Sequence, residues 1–215
     1  MIICGIDEAG KGPVLGSLII CGVTIEKSKI KKLKALKVAD SKLLSKKIRE
    51  ELYDKIIRVV DDYELIVLEP KDIDFALNSP VLNLNKLEAN HTCELLKKLN
   101  PDKAFIDCPD VNPQRYKNIL QQATKAELIV EHKAEKYEVV AAASIIAKVI
   151  RDRSMHELKE IHKVEVGSGY CSDPVTKKFI DKHWNNEVFS HIIRKSWATY
   201  KNKKIEKEQK TLDNF

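Results

Sequence analysis

No apolar run in the 215 residues approaches the roughly 18 needed to cross a bilayer, so a transmembrane helix is excluded. The opening residues Met1-Ile2-Ile3-Cys4-Gly5-Ile6-Asp7 carry neither a basic start nor a long apolar stretch, and no signal peptide is expected. Five cysteines stand apart at 4, 21, 93, 108 and 171 with no CxxC pair. That spacing argues against a zinc ribbon and a disulfide framework, and reduced thiols in a cytoplasmic protein are expected. No internal repeat is present, and no low-complexity linker precedes the C-terminal stretch. Neither sign of charge dominates: 38 Lys and Arg against 32 Asp and Glu leave +6. Such an excess permits a polyanionic partner without demanding one.

What is present is a globular, charge-rich composition, 43% hydrophobic and 33% charged. A chain of this length can bury roughly two thirds of its unfolded surface without a metal or disulfide staple. Residues 2–6 form an apolar run ending in Asp7 and Glu8, which predicts a buried strand. A second strand is predicted from Leu18 to Ile25, and the intervening Ala9–Gly16 holds three glycines and Pro13, a tight turn. Short strands are also predicted at Leu65–Leu68, Lys103–Asp107 and Leu128–Val130. Leu44, Ile48, Leu52, Ile56 and Val60 recur at a helical spacing, as do Leu84, Leu87, His91, Leu95 and Leu99. Residues 139–150 are apolar on nearly every side, which marks a central buried helix. Strands alternating with helices predict an α/β domain with a mixed sheet, its first two strands antiparallel and the later ones parallel.

The chemistry sits at the strand ends. Asp7 and Glu8 close the first strand and Asp107 closes the fourth. In open α/β sheets ligands gather beyond the carboxyl ends of strands. Carboxylates brought together repel unless a cation neutralises them, and oxygen donors without His or Cys select Mg²⁺ or Mn²⁺. Two such ions about 3.5–4 Å apart suit phosphodiester cleavage. Gly5-Ile6-Asp7-Glu8-Ala9-Gly10-Lys11-Gly12 nearly spells a nucleotide phosphate loop. Gly12 occupies the place of the metal-binding hydroxyl, two acids would repel triphosphate, and Pro13 removes a donor, so that reading is set aside.

The segment Gly5-Ile6-Asp7-Glu8-Ala9-Gly10-Lys11-Gly12-Pro13 resembles the N-terminal signature of the type 2 ribonucleases H, ribonuclease HII. The likeness continues through Asp40-Ser41-Lys42-Leu43-Leu44-Ser45, Phe105-Ile106-Asp107, Ala142 to Asp152, and Gly167-Ser168-Gly169-Tyr170-Cys171-Ser172-Asp173-Pro174. Arg194-Lys195-Ser196-Trp197 and Asn112-Pro113 look closest to archaeal members. The resemblance implies a ribonuclease H-like fold with a five-stranded mixed sheet and a C-terminal helical lobe. The expected organisation is a catalytic core over 1–153, the lobe over 154–200, and a flexible basic tail over 201–215. It also implies endonucleolytic cleavage of RNA in RNA–DNA hybrids and at ribonucleotides embedded in duplex DNA. The cut falls 5′ to the ribonucleotide and leaves 3′-hydroxyl and 5′-phosphate ends.

By that resemblance Asp7, Glu8 and Asp107 are metal ligands. The Gly10-Lys11-Gly12 backbone reads the 2′-hydroxyl, Tyr170 stacks at the ribo–deoxyribo junction, and Ser41 and Lys42 contact phosphate. The family's fourth catalytic Asp falls in a stretch like HKADxxYxVV. Here the chain reads His132-Lys133-Ala134-Glu135-Lys136-Tyr137-Glu138-Val139-Val140, one residue shorter, with Glu nearest the Asp position. Either Glu135 replaces that ligand, its longer stem spanning the deficit, or the ligand is lost and activity is reduced. Glu135 is the expected substitute and Asp152 the fallback. His91 reads as a core histidine, His132 as structural, and Trp197 as docking the last helix.

Gln209, Leu212 and Phe215 form a Gln-x-x-Leu-x-x-Phe spacing that resembles the peptide motif binding sliding DNA clamps. Leu212 and Phe215 would fall on one side of a short turn and plug an apolar pocket. The expected protein is thus a monomeric two-metal endonuclease with a clamp tether. The competing reading is a clamp-associated hybrid-binding protein with a weakened metal site.

Overall fold

In the computed structural model, residues 1–38 and 44–212 are described, without the side chains of 210–212. Ser41, Lys42 and Phe215 lie outside the described residues, as does the Leu212 side chain.

The apolar opening run becomes β1 (Ile2–Ala9), buried along most of its length. It lies at the centre of a five-stranded sheet of order β3-β2-β1-β4-β5. β2 (Leu18–Glu26) runs antiparallel to β1, with Asp7 opposite Cys21. β3 (Asp62–Leu68) lies beyond β2. β4 (Lys103–Asp107) is parallel to β1, pairing Ile106 with Ile6, and β5 (Glu127–Glu131) is parallel to β4, pairing Glu131 with Asp107. The sheet is therefore mixed, as the strand spacing predicts.

The helices are α1 (Ile30–Ala35), α2 (Lys46–Ile56), α3 (Pro70–Asn78), α4 (Leu84–Leu99), α5 (Pro113–Gln121), α6 (Glu138–His162), α7 (Pro174–His183) and α8 (Ala198–Leu212). Among the described residues no helix is long and apolar enough to cross a membrane.

The chain divides into two compact units. The first contains Met1–Ala9, Ile19–Val67 and Asn85–Ile150. Its core brings the alternating Ile19, Cys21, Val23 and Ile25 of β2 together with Leu52 and Ile56 of α2 and Val140, Ala143 and Ile146 of α6. β1 and α6 approach backbone to backbone at Gly5, where an added Cβ would lie 2.2 Å from the Val139 carbonyl carbon. Only glycine permits that approach. The all-round apolarity of 139–149 is thus the signature of a helix sunk into this core.

The second unit contains Gly10–Leu18, Leu68–Leu84 and Arg151–Phe215. Its core is Val14, Leu15, Met155, Val166, Phe179, Ile180, Phe189, Ile192 and Ile193. Phe179 and Phe189 meet edge to face at 5.0 Å. Asp173 caps α7, accepting the Val175 amide, and Pro174 takes the first helical position.

This division departs from the contiguous one expected from sequence. The glycine turn and the stretch 68–84 join the C-terminal unit. Leu15 bridges to Ile193 and Asp74 accepts the Lys195 and Ser196 amides, contacts that no local pattern announces. The expected tail also differs: α8 continues to Leu212. Lys203 pairs with Asp181 and Glu206, and Tyr200 packs near Trp184, so the first half of α8 has partners to hold it.

Candidate active site

Asp7 is the penultimate residue but one of β1 and is 5% exposed. Asp7 and Asp107 are the residues that follow the Ile6–Ile106 pair in this parallel register, which sets them side by side on the same face of the sheet. α6 covers that face, and its Ser144 hydroxyl hydrogen-bonds the Asp7 carboxylate. Ser144 is itself fully buried, and the Gly5 approach is what lets α6 deliver it.

Burial is the largest influence on Asp7 and pushes its pKa up, to about 7. The Ser144 hydrogen bond and the Glu8 amide, which donates to Asp7 Oδ1 at 2.7 Å, oppose the rise. The charges of Asp107 and Glu135 add to it. A carboxyl in this position is poised for a counterion.

Asp107 is fixed from the other side. Its Oδ1 accepts the Ala134 amide at 2.7 Å. Ala134 opens the 3-10 turn Ala134–Lys136, which carries Glu135. Lys133 enters that turn in the left-handed region, at φ 59°, and Lys136 pairs with Glu131 at 2.8 Å. The shortened segment is therefore anchored on Asp107, and it leaves Glu135 close enough to Asp7 to act on its charge. His132 Nδ1 lies 3.1 Å from the Cys108 carbonyl, a structural contact. His91 is only half-buried and pairs with Glu94 at 3.1 Å, so it is less of a core residue than its apolar stripe suggests.

Glu8 behaves differently. Strand alternation turns it to the opposite face from Asp7. There its charge helps raise the pKa values of Cys108 and of Tyr116 on α5, although burial dominates both. Among the described residues no three such side chains converge closely enough to cage an ion as they stand. The opposed directions of Asp7 and Glu8 are one reason. The donor chemistry nevertheless fits a hard divalent cation: acidic oxygens, one of them buried and short of positive charge. Asp152, the fallback ligand, belongs to the second unit.

Of the residues expected to meet substrate, the second unit contains Gly10, Lys11, Gly12 and Tyr170. Gly10 adopts φ 91°, and a Cβ there would strike Arg151 Nε at 2.5 Å and the Ser17 carbonyl at 2.7 Å. Gly12 lies beside Tyr170, whose Cε1 would be 3.9 Å from an added Cβ. Tyr170 is 43% exposed and its ring lies 5.2 Å from the guanidinium of Arg151. Arg151 is buried, donates to the Ser168 carbonyl at 2.9 Å, and its Nε has no partner. Burial lowers its pKa. Ser168 in turn donates through its amide and hydroxyl to Asp173. These hydrogen bonds hold the Asp173 carboxyl down, at about 2. Trp197 docks as expected, but by a specific bond: its indole N–H donates to the Gly12 carbonyl at 2.9 Å.

Sequence reasoning gave no role to Ser144, Arg151 or Arg194. Ser144 is a lone hydroxyl in an apolar run, whereas Arg151 and Arg194 stand beside other charged residues and nothing local singles them out. Such residues stay buried only when their hydrogen bonds are met.

The ribonuclease HII family pattern matches residues 4–200. A ribonuclease HII from Thermococcus sibiricus is 45% identical over 221 residues, which cover 98% of this chain and 96% of that protein. The crystal structure of ribonuclease H2 from Pyrococcus horikoshii OT3 superposes with a TM-score of 0.87 at 39% identity, covering 96% of this chain and 98% of the other. A PCNA:RNase HII complex from Archaeoglobus fulgidus contains a chain with a TM-score of 0.84 at 37% identity, covering 92% of this chain and 95% of that one. With its fold and nearly its whole length shared with these proteins, the chain belongs to the ribonuclease HII family, a family of hydrolytic endonucleases.

Proposed function

We propose that this protein cleaves RNA in RNA–DNA hybrids and at single ribonucleotides embedded in duplex DNA, 5′ to the ribonucleotide, leaving 3′-hydroxyl and 5′-phosphate ends. One observation carries the reading: a buried Asp7 held beside Asp107 and within the field of Glu135, with its pKa pushed up to about 7. Asp7, Glu8, Asp107 and Glu135 would hold Mg²⁺ or Mn²⁺, the hard cations their oxygens select. When bound, such ions supply an activated water and neutralise charge on the leaving 3′ oxygen.

The chain's own residues do the rest. Ser144 orients Asp7, and the Ala134 amide orients Asp107. The Gly10–Gly12 backbone recognises the 2′-hydroxyl, and the exposed Tyr170 ring stacks at the ribo–deoxyribo junction. Ser41 and Lys42 contact phosphate and set register without reading bases.

The test is incubation of a DNA duplex carrying one ribonucleotide with the full chain, in Mg²⁺ and separately in Mn²⁺. Cleavage 5′ to the ribonucleotide is expected. No product in either metal overturns the enzyme reading. It would leave the hybrid-binding alternative, which the unclosed set of acids favours.

The protein is further proposed to act as a cytoplasmic monomer tethered to a sliding clamp. The Archaeoglobus relative was solved in complex with PCNA. In this chain Gln209, Leu212 and Phe215 supply the motif. Deleting residues 209–215 should abolish clamp binding and spare cleavage; unchanged clamp affinity refutes the assignment.

A further inference from the structure

Arg194 is wholly buried, at 0% exposure, and the chemistry above gives it no task. Its guanidinium donates through Nε to the Gly16 carbonyl at 2.9 Å, through Nη1 to the Lys11 carbonyl at 2.9 Å, and through Nη2 to the Gly10 carbonyl at 2.6 Å. Three residues on, the Trp197 indole takes the Gly12 carbonyl at 2.9 Å. The two side chains brace each other, with the guanidinium 4.9 Å from the indole ring centroid. The Arg194 amide also donates to the Val14 carbonyl, at 2.9 Å. A planar fork of fixed N–H directions can fill three carbonyls at once, which a lysine ammonium cannot do with the same constraint.

The direction of those carbonyls matters. None of the described peptide bonds is cis. In a trans peptide the N–H points opposite to the carbonyl of the residue before it. The Gly10 and Lys11 carbonyls are turned toward Arg194. The amides of Lys11 and Gly12 are therefore turned away from it. The Gly12 carbonyl is turned to Trp197, and the next residue, Pro13, has no N–H to present. The clasp thus produces two adjacent N–H groups aimed alike, followed by a silent position.

We propose that Arg194 and Trp197 are positioning residues that aim the Lys11 and Gly12 amides at the ribose 2′-hydroxyl, and so determine selectivity for ribonucleotide over deoxyribonucleotide. The proposal rests on the ribonuclease reading given above. Neither side chain touches the substrate; both act through the loop they hold.

Metal-free binding to two duplexes that differ by one 2′-hydroxyl tests this, with fluorescence anisotropy in EDTA as the readout and the full chain as the protein. Wild type should favour the ribonucleotide duplex. Trp197→Phe keeps an aromatic ring beside Arg194 and removes the indole N–H together with part of the ring surface. It should lose about three- to tenfold of that preference, the value of one hydrogen bond, with affinity for the all-deoxy duplex unchanged. Arg194→Lys should lose more, and Arg194→Gln should rescue no better. If Arg194→Lys does not fold, Trp197→Phe alone decides. Folded variants that keep the wild-type preference overturn the proposal, and so do variants that weaken both duplexes equally, since that is packing rather than aim. Wild type that neither cleaves nor prefers the ribonucleotide duplex overturns the proposed function itself. Wild type that cleaves, with variants still selective, overturns the clasp alone.

Discussion

Each unit buries a charged side chain, and the two are handled in opposite ways. Asp7 in the first unit is 5% exposed and faces like charge from Asp107 and Glu135. Arg194 in the second is 0% exposed, and its fork is filled by backbone carbonyls. A buried charge among its own kind is unstable until a counterion arrives, so it marks a place for ligand chemistry. A buried charge saturated by carbonyls is complete without a ligand, so it marks architecture. The same residue property, burial of charge, thus carries two meanings that only the surroundings separate.

The sharpest way to break the contrast is to neutralise each charge. Asp7→Asn should lower cleavage of a ribonucleotide-containing duplex by about 10³-fold or more, because metal catalysis supplies several kcal/mol. Yet the same change should raise the melting temperature of the metal-free protein at pH 8. The sign follows from the raised pKa. The folded value, about 7, exceeds the ordinary 3.8, so Asp7 contributes stability below pH 3.8 that is lost as pH rises through 7. Asn escapes that loss, so its advantage should vanish near pH 4, and calorimetry with and without metal checks both arms. Arg194→Ala should do the reverse to stability. It strands three carbonyls and should cost about 3–5 kcal/mol, or roughly 10 °C in melting temperature.

Glu135→Ala sharpens the comparison on the acidic side. The rate should fall about 10- to 100-fold, as for loss of one metal contact. Removing its charge should also bring the Asp7 pKa down, measurable by carboxyl titration in NMR. An unchanged rate would remove Glu135 from the site. The smallest effect belongs to Asp173→Ala, which removes the α7 cap and the Ser168 anchor and should cost about 1 kcal/mol near neutral pH. Its depressed pKa, about 2, means that its contribution is present above pH 3.8 and fades as pH falls toward 2. The gap between parent and variant should therefore narrow in acid.

Much of the first unit was legible because its signals are local. β1 announces itself by an apolar run that ends in Asp7, and α6 by apolarity on every side. Ile48 shows the limit of periodicity: it falls on the predicted stripe of α2 yet is 43% exposed. α3 went unread because its start is written in capping rather than in periodicity. Glu69 and Asp72 form a capping box around Pro70 at the first turn. α8 read as a tail because it is Lys-rich, although Lys and Glu are good helix formers and pair here at Lys203–Glu206 and Lys204–Glu208. Asp7 and Asp107 were legible as acids at strand ends. Ser144 and Arg194 were not, since their partners lie far off along the chain.

That distance has a consequence for how the protein comes into being. The bond from Arg194 to the Gly10 carbonyl joins residues 184 apart. Contacts of such separation form late, because almost the whole chain must be ordered to close the loop. During synthesis the glycine turn leaves the ribosome early but waits for its clasp until Arg194 follows. An incomplete chain that already holds Asp7 and Asp107 therefore lacks the part that aims the backbone. Under the proposal above, selectivity would be completed only once Arg194 has joined the fold.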